Sequence, residues 1–278
     1  MEWIEIFKAI ILGIIEGITE WLPVSSTGHM ILVDEFVQLG MSPEFKEMFF
    51  VVIQLGAIMA VVLLYWKKIF PFNFNKKPFV EKDIIIMWIK IVLACIPAAI
   101  IGLKWDDQIN ALFYNFQTVA IMLILFGILF IVVENHNKGK TPKINNMNQL
   151  TYKAALIIGL FQVIAAVFPG TSRSGATIVG ALLIGVSREI AAEFTFFLAI
   201  PVMFGASLLK LVKFGFVFTG FELVVLAVGT IVSFIVSVWA IKFLMGYIKK
   251  HDFKVFGWYR IVLGIIVLIC GFTGIIGA

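Results

Sequence analysis

Two acidic residues, Glu16 and Glu20, stand four positions apart inside an apolar stretch near the start of the chain. Residues four apart share one face of a helix, so the two carboxylates are expected to lie together. Like charges this close repel each other unless a cation or a shared proton lies between them. The pair indicates a divalent metal site, or one acid beside one base, against the plainer alternative of solvated carboxylates at a segment end.

Hydroxyl and imidazole groups follow directly, in the sequence Ser25-Ser26-Thr27-Gly28-His29. A histidine near a serine and a carboxylate can activate a nucleophile or transfer a proton. The alternative is a hydroxyl-rich cap on the helix that follows, which is the better interpretation for Ser25. A cap does not need His29, so the segment remains a candidate for chemistry.

Arg173 lies between Ser172 and Ser174 in a second interruption of an apolar region. A guanidinium presents a rigid fork that matches phosphate oxygens, and two hydroxyls add further donors. The helix that restarts near Gly175 points free backbone N–H groups at the same place. The segment predicts a cradle for a phosphate group, with an ion pair that holds two parts of the chain together as the alternative.

The composition places these residues in a membrane protein. Of 278 residues, 61% are hydrophobic and 14% are charged, whereas a soluble domain has about 25% charged residues. This excludes a soluble enzyme and a disordered chain. The net charge of +5 does not indicate nucleic acid, because the lysines sit in short loops between apolar runs.

Nine apolar segments follow one another along the chain, and all are predicted to be helices because unpaired strands cannot span lipid. They lie at about 3–22, 44–64, 84–103, 117–134, 152–168, 176–186, 190–212, 222–246 and 256–276. The predicted fold is all-α, a polytopic membrane protein that forms one domain over residues 1–278.

Two of these segments are interrupted where the candidate chemistry lies. The first runs into Pro23 and the other into Pro169 and Gly170, and proline and glycine both disfavour helix continuation. Each is predicted to form a broken, re-entrant helical hairpin that enters and leaves the membrane on one side. About six full spans of about 20 residues each remain.

The two breaks are related by an internal offset of 146 residues. The offset places Gly13 on Gly159, Glu16 on Gln162, Pro23 on Pro169, Ser26 on Ser172, Glu47 on Glu193 and Phe50 on Phe196. Two halves, about 1–135 and 150–278, therefore have the same succession of segments.

Loop charges indicate that these halves are inverted in the membrane. The positive-inside rule places the lysine-rich loops 65–83, 135–153 and 247–256 in the cytoplasm, and loop 104–116, with only Lys104, outside. Loops related by the offset then lie on opposite sides, although Lys210 and Lys213 near an outer loop count against this topology. Inverted repeats with discontinuous helices place a polar site near the bilayer midplane.

The two hairpins supply complementary groups for one reaction. Hydrolysis of a phosphoanhydride needs charge neutralisation, a positioned nucleophile and a proton donor, and a site inside the membrane implies an amphiphilic substrate such as a lipid diphosphate. Secondary transporters also use inverted repeats, so a flippase for a polyprenyl phosphate is the alternative. A purely structural subunit would not need charges in these apolar surroundings.

The segments Glu16-Gly-Ile-Thr-Glu-Trp-Leu-Pro-Val-Ser-Ser-Thr-Gly-His29 and Pro169-Gly-Thr-Ser-Arg-Ser-Gly175 resemble the two signature motifs of the bacitracin-resistance (BacA) family of undecaprenyl-diphosphate phosphatases. The resemblance covers nearly the whole chain, without departure from either motif. It implies hydrolysis of undecaprenyl diphosphate to undecaprenyl phosphate and inorganic phosphate. It also implies a bacterial cytoplasmic-membrane enzyme in the carrier-lipid cycle of cell-wall peptidoglycan synthesis. A link to bacitracin follows, because this antibiotic sequesters the same lipid diphosphate.

The resemblance also implies a role for each site residue. Glu16 and Glu20 would bind a divalent cation, Mg²⁺ or Ca²⁺, or act as acid and base. Ser26 would be the nucleophile, with His29 as its proton partner or itself the nucleophile, and direct attack by water stays open. Arg173 would hold the diphosphate, with Ser172 and Ser174 assisting. Ser25, Thr27 and Gln54 are further candidates for contact with substrate. Gln54 either lines the cavity or bonds a neighbouring helix, and the expected partners are the lipid substrate, the bilayer and a second copy of the chain.

Overall fold

The computed structural model describes residues 2–73, 78–215 and 217–276. Within these ranges the chain is all-α, with isolated β-bridges but no sheet. The helices are α1 (Glu2–Thr19), α2 (Ser26–Val33), α3 (Pro43–Ile69), α4 (Lys82–Phe113), α5 (Phe116–Asn137), α6 (Tyr152–Val167), α7 (Arg173–Leu183), α8 (Arg188–Phe214), α9 (Gly220–Ile248) and α10 (Lys254–Phe272). Two of the predicted loop charges, Lys76 and Lys77, lie outside the described residues.

Six of the described helices are long and apolar enough to cross a membrane, namely α3, α4, α5, α8, α9 and α10. The prediction of a multi-pass protein with about six full spans is confirmed. Helices α2 and α7 have 8 and 11 residues, well short of the roughly 20 that a span needs. They are the returning arms of the two broken hairpins, α1–α2 and α6–α7.

The two halves pack through equivalent pairs of helices. Helix α1 lies along α9, and α6 lies along α4, which is the counterpart of α9 in the other half. Helices α3 and α8 pack on each other, as do α5 and α10. Each hairpin is therefore held by the opposite half of the chain, so that residues from both halves can meet in one site.

An ion pair stands at each end of the contact between α3 and α8. Glu47 near the start of α3 pairs with Lys210 near the end of α8, and Glu193 near the start of α8 pairs with Lys68 near the end of α3. The two helices are therefore antiparallel, as an inverted repeat requires. The charge of Lys210, which counted against the predicted orientation, is paired with the carboxylate of Glu47.

Helices α5 and α10 approach closely at a pair of glycines. A Cβ added to Gly127 would lie 2.7 Å from the carbonyl oxygen of Gly257, and one added to Gly257 would lie 2.7 Å from that of Gly127. Close backbone contact between membrane helices gives tight van der Waals packing. This packing fixes α10 beside both helix breaks, with α7 buried over residues 174–182 in the centre of the protein.

Candidate active site

Both broken helices restart at a serine with an unusual backbone. Ser25 has φ 74° and Ser172 has φ 68°, and they are the only non-glycine residues with positive φ in the described ranges. Each side chain accepts a hydrogen bond from a backbone N–H three residues on, of Gly28 and Gly175 respectively. Backbone strain of this kind persists only where the surroundings impose it, and it clusters at functional sites.

The structure corrects the predicted register between the breaks. The cap of α2 is Ser25 and the cap of α7 is Ser172, so Ser172 corresponds to Ser25 and not to Ser26. The reason is one additional residue between the proline and the cap in the second break, which shifts the offset. Ser26 consequently corresponds to Arg173, because each is the first residue of its helix.

Glu20 is the point where the two hairpins meet. Ser26 Oγ donates a hydrogen bond to Glu20 Oε2 at 3.2 Å, and Arg173 Nη2 donates to Glu20 Oε1 at 2.9 Å. Ser174 Oγ donates to the backbone oxygen of Glu20 at 3.2 Å. One buried carboxylate thus joins the candidate nucleophile of the first half to the candidate phosphate ligand of the second.

The guanidinium of Arg173 is fixed from two sides. Besides Glu20, it donates through Nη1 to the backbone oxygen of Thr195 in α8 at 3.0 Å. Thr195 also shares a hydrogen bond of 2.9 Å with the hydroxyl of Thr177. The ion pair between the halves, weighed above as the alternative for Arg173, is present. Thr177 and Thr195 were missed, since threonines in apolar helices carry no distinctive sequence signal.

Glu16 faces a cavity of about 380 Å³ that also borders Ser26, Thr27 and Gln54. The Glu16 side chain is buried, and its Oε1 has no hydrogen-bond partner among the described residues. A buried carboxylate oxygen without a partner is costly, so it points to a ligand that completes it. Thr27 and Gln54, both predicted to contact substrate, lie at the cavity wall.

The cavity continues to the end of the bundle where α4 meets α5. Its outer part is lined by Asp34, Glu35, Tyr114 and Asn115. Burial raises the pKa of the Asp34 carboxyl above its ordinary value. This end is opposite the lysine-rich loops, which follow α3, α5 and α9.

The donor set fits a hard divalent cation that is completed by substrate oxygens. No group of three or more histidine, cysteine, aspartate or glutamate side chains within metal-binding reach occurs in residues 2–73, 78–215 and 217–276. Mg²⁺ sites commonly use one or two carboxylates together with water and phosphate oxygens. Glu16 supplies an unpaired oxygen, and Glu20 lies one helical turn beyond it.

Both ring nitrogens of His29 contact groups other than Ser26. Its Nδ1 lies 2.7 Å from the backbone oxygen of Ser25, and its Nε2 lies 2.7 Å from the hydroxyl of Tyr259, whose ring stacks on the imidazole. A carbonyl can only accept, so Nδ1 carries the proton, and in a neutral ring Nε2 accepts from Tyr259. The imidazole thereby supports the strained cap of α2.

The two predicted serines beside Arg173 form a local pair. Ser172 Oγ and Ser174 Oγ lie 3.1 Å apart, and Ser174 is almost fully buried. Ser25 is buried as well and serves as a cap, as the plainer interpretation held. None of these three hydroxyls borders the cavity, so their predicted contact with substrate stays a prediction.

Arg260 in α10 was not identified from the sequence. A signal was present, since a charged residue there interrupts the apolar run 256–276. Its side chain is completely buried and donates to backbone oxygens of both breaks. Tyr259 beside it binds His29. Helix α10 therefore contacts both hairpins at the site.

Comparison with known proteins gives a consistent result. A family model described as bacitracin resistance protein BacA matches residues 9–266. The chain is 72% identical over 269 residues to the undecaprenyl-diphosphatase of Desulfitobacterium hafniense, covering 97% of each chain. It is 67% identical over 269 residues to undecaprenyl-diphosphatase 1 of Clostridium acetobutylicum, covering 97% of this chain and 98% of the relative. It is 65% identical over 266 residues to the undecaprenyl-diphosphatase of Acetivibrio thermocellus, covering 96% of this chain and 97% of the relative.

Proposed function

The chain belongs to the bacitracin resistance protein BacA family, and from this premise we propose that it hydrolyses undecaprenyl diphosphate to undecaprenyl phosphate and inorganic phosphate. The observation that carries the proposal is that Ser26, which borders the cavity, and Arg173 both bind Glu20 directly behind it. A transporter needs an anion site but not a hydroxyl held on a carboxylate, and the comparisons do not support the flippase alternative.

Ser26 is the proposed nucleophile because it borders the cavity and its hydroxyl already points its proton at Glu20. Its Oγ forms a bond to the terminal phosphorus while the bond from that phosphorus to the bridging oxygen breaks. The serine proton passes through Glu20 to the departing undecaprenyl phosphate. Water then attacks the phosphoserine, gives a proton back to Ser26 through Glu20, and releases inorganic phosphate.

Arg173 binds the terminal phosphate during this displacement. Glu20 and Thr195 hold its guanidinium in place before substrate arrives. A donor fixed in advance stabilises the charge of a phosphoryl-transfer transition state without reorganisation. The same ion pair keeps Glu20 beside Ser26, so the two halves of the chain depend on each other for the reaction.

A divalent cation, Mg²⁺ or Ca²⁺, is proposed as the cofactor, with Glu16 and Glu20 as its protein ligands. When bound, it neutralises part of the charge of the diphosphate. The support is the unpaired Oε1 of Glu16 at the cavity wall.

The bacterial cytoplasmic membrane is the proposed location, with the cavity open to the outer leaflet. The support is the position of the lysine-rich loops at the other end of the bundle. There the enzyme would return the carrier lipid to cell-wall synthesis and remove the diphosphate that bacitracin sequesters. A homodimer stays a prediction.

The test is phosphate release from undecaprenyl diphosphate by the purified protein in detergent, with and without divalent cation. We expect release that Glu20→Gln lowers on the order of 10²–10⁴-fold, because the proton acceptor is lost. Glu47→Gln is the matched control, since it breaks a different ion pair, near the start of α3. Absence of release by the unaltered protein under every condition would refute the proposal.

A further inference from the structure

Arg260 links the two helix breaks to each other. Its Nη1 donates to the backbone oxygen of Pro23 at 3.2 Å in the first break. Its Nη2 donates to the backbone oxygens of Gly170 and Thr171 at 2.9 Å and 2.7 Å in the second. One side chain thus binds the segments that lead into both strained serine caps.

The position of this charge is costly. Arg260 is completely buried, its Nε has no hydrogen-bond partner among the described residues, and none of the ion pairs found there includes it. The guanidinium carbon lies 5.9 Å from the centroid of the Phe126 ring. Burying an ion without a counter-charge destabilises a protein, so a role for the charged group itself is indicated.

We propose that Arg260 is a positioning residue for the hydrolysis, which holds the two breaks at the separation that lets Ser26 and Arg173 meet on Glu20. The inference rests on the proposed function. Pro23 lies two residues before the cap of α2, and Gly170 and Thr171 directly precede the cap of α7. A planar guanidinium can bind carbonyls on several sides at once, which an ammonium group does with poorer geometry.

The second break depends on the same contact. Gly170 has φ 88°, and a Cβ there would lie 2.4 Å from the carbonyl oxygen of Val119, so the chain runs through a space that only glycine fits. Its carbonyl is directed to Arg260 by this path. If the guanidinium were displaced, the carbonyls of both breaks would lose their hydrogen bonds together. The first residues of α2 and α7 would then no longer be held in place.

The matched control is Arg188, the first residue of α8, which binds Glu134 through two nitrogens and does not line the cavity. Arg260→Lys, Arg260→Gln and Arg188→Lys are purified in detergent, and kcat, KM and the unfolding temperature are measured for each. Arg260→Lys is expected to fold and to lose about 10–100-fold in kcat with little change in KM, because small misplacements of reacting groups are costly. Arg260→Gln is expected to lose at least as much, and Arg188→Lys to stay near the unaltered enzyme.

Amide hydrogen exchange supplies a measurement that does not depend on activity. Arg260→Lys is expected to speed exchange in peptides that cover 20–28 and 168–176 together, and Arg188→Lys is not. Faster exchange at both breaks in a protein that releases no phosphate would support the positioning role and count against the proposed function. The inference would be overturned if Arg260→Lys changed amide exchange only within α10, or if its kcat stayed within twofold of that of the unaltered enzyme.

Gly175→Ala tests the same contact if Arg260 variants do not fold. A Cβ at this position would lie 2.8 Å from Nη1 of Arg260, so the guanidinium must shift while its charge stays. We expect kcat to fall by about tenfold or more, with faster exchange at both breaks. A folded Gly175→Ala variant with unaltered kcat and exchange would refute the proposal.

Discussion

Ser26 and Arg173 occupy the same position in the two broken helices, and their side chains bind the two oxygens of one carboxylate, Glu20. The repeat thus places different chemistry at equivalent positions. The first half provides a hydroxyl and an acceptor for its proton, and the second provides a positive fork for phosphate. Neither half contains a complete site.

Arg173→Lys is expected to lower kcat/KM by about 10²-fold even though the charge is kept. The lysine cannot reach Glu20 and the backbone oxygen of Thr195 at once and then offer a fork to phosphate. The measurement is steady-state phosphate release, with Arg188→Lys as the matched control. Turnover within a few-fold of the unaltered enzyme would contradict bidentate phosphate binding.

His29→Asn is expected to keep kcat within about tenfold of the unaltered enzyme, because the amide can still donate to the backbone oxygen of Ser25 and only the bond to Tyr259 is lost. His29→Ala removes both contacts and is expected to cost more. Phosphate release across a range of pH measures the effect. If both variants were equally inactive, His29 would be the nucleophile or its proton partner.

Ser25→Gly is expected to be more stable than Ser25→Ala by about 2 kcal/mol, since glycine tolerates positive φ and is the better cap. Ser42 is the control, because it caps α3 with an ordinary backbone, φ −60°. There the same two substitutions should differ by only about 0.5 kcal/mol. Thermal unfolding in detergent gives both comparisons, and equal differences at the two caps would show that Ser25 is not strained.

Chelation of divalent cations is expected to abolish hydrolysis, and added Mg²⁺ or Ca²⁺ to restore it. Glu16→Gln should then raise the cation concentration needed for half-maximal rate by about tenfold or more, because the unpaired Oε1 is lost as a charged ligand. Glu47→Gln removes a carboxylate that does not line the cavity, so it should leave that concentration unchanged. Full activity in the presence of chelator would contradict a cation site.

Much of the fold could be predicted, because the membrane imposes simple rules. Apolar length predicts the six spans, and Pro23 and Pro169 predict the two breaks. The placement of lysines predicts the inverted halves. The offset of 146 residues was wrong at Ser172, which caps α7 as Ser25 caps α2, because a single inserted residue leaves the pattern of apolar segments unchanged.

The sequence by itself determined which residues are available for chemistry, because a charge or a hydroxyl cluster inside an apolar run is costly and stands out. Glu16, Glu20, Ser26 and Arg173 were identified in this way. Only the tertiary structure decided which of them touch. Helix α10, packed on α5 through two glycines, brings Tyr259 to His29 and Arg260 to both breaks. These contacts join residues more than 80 positions apart, and such distances depend on the packing of helices from both halves, which no local pattern encodes.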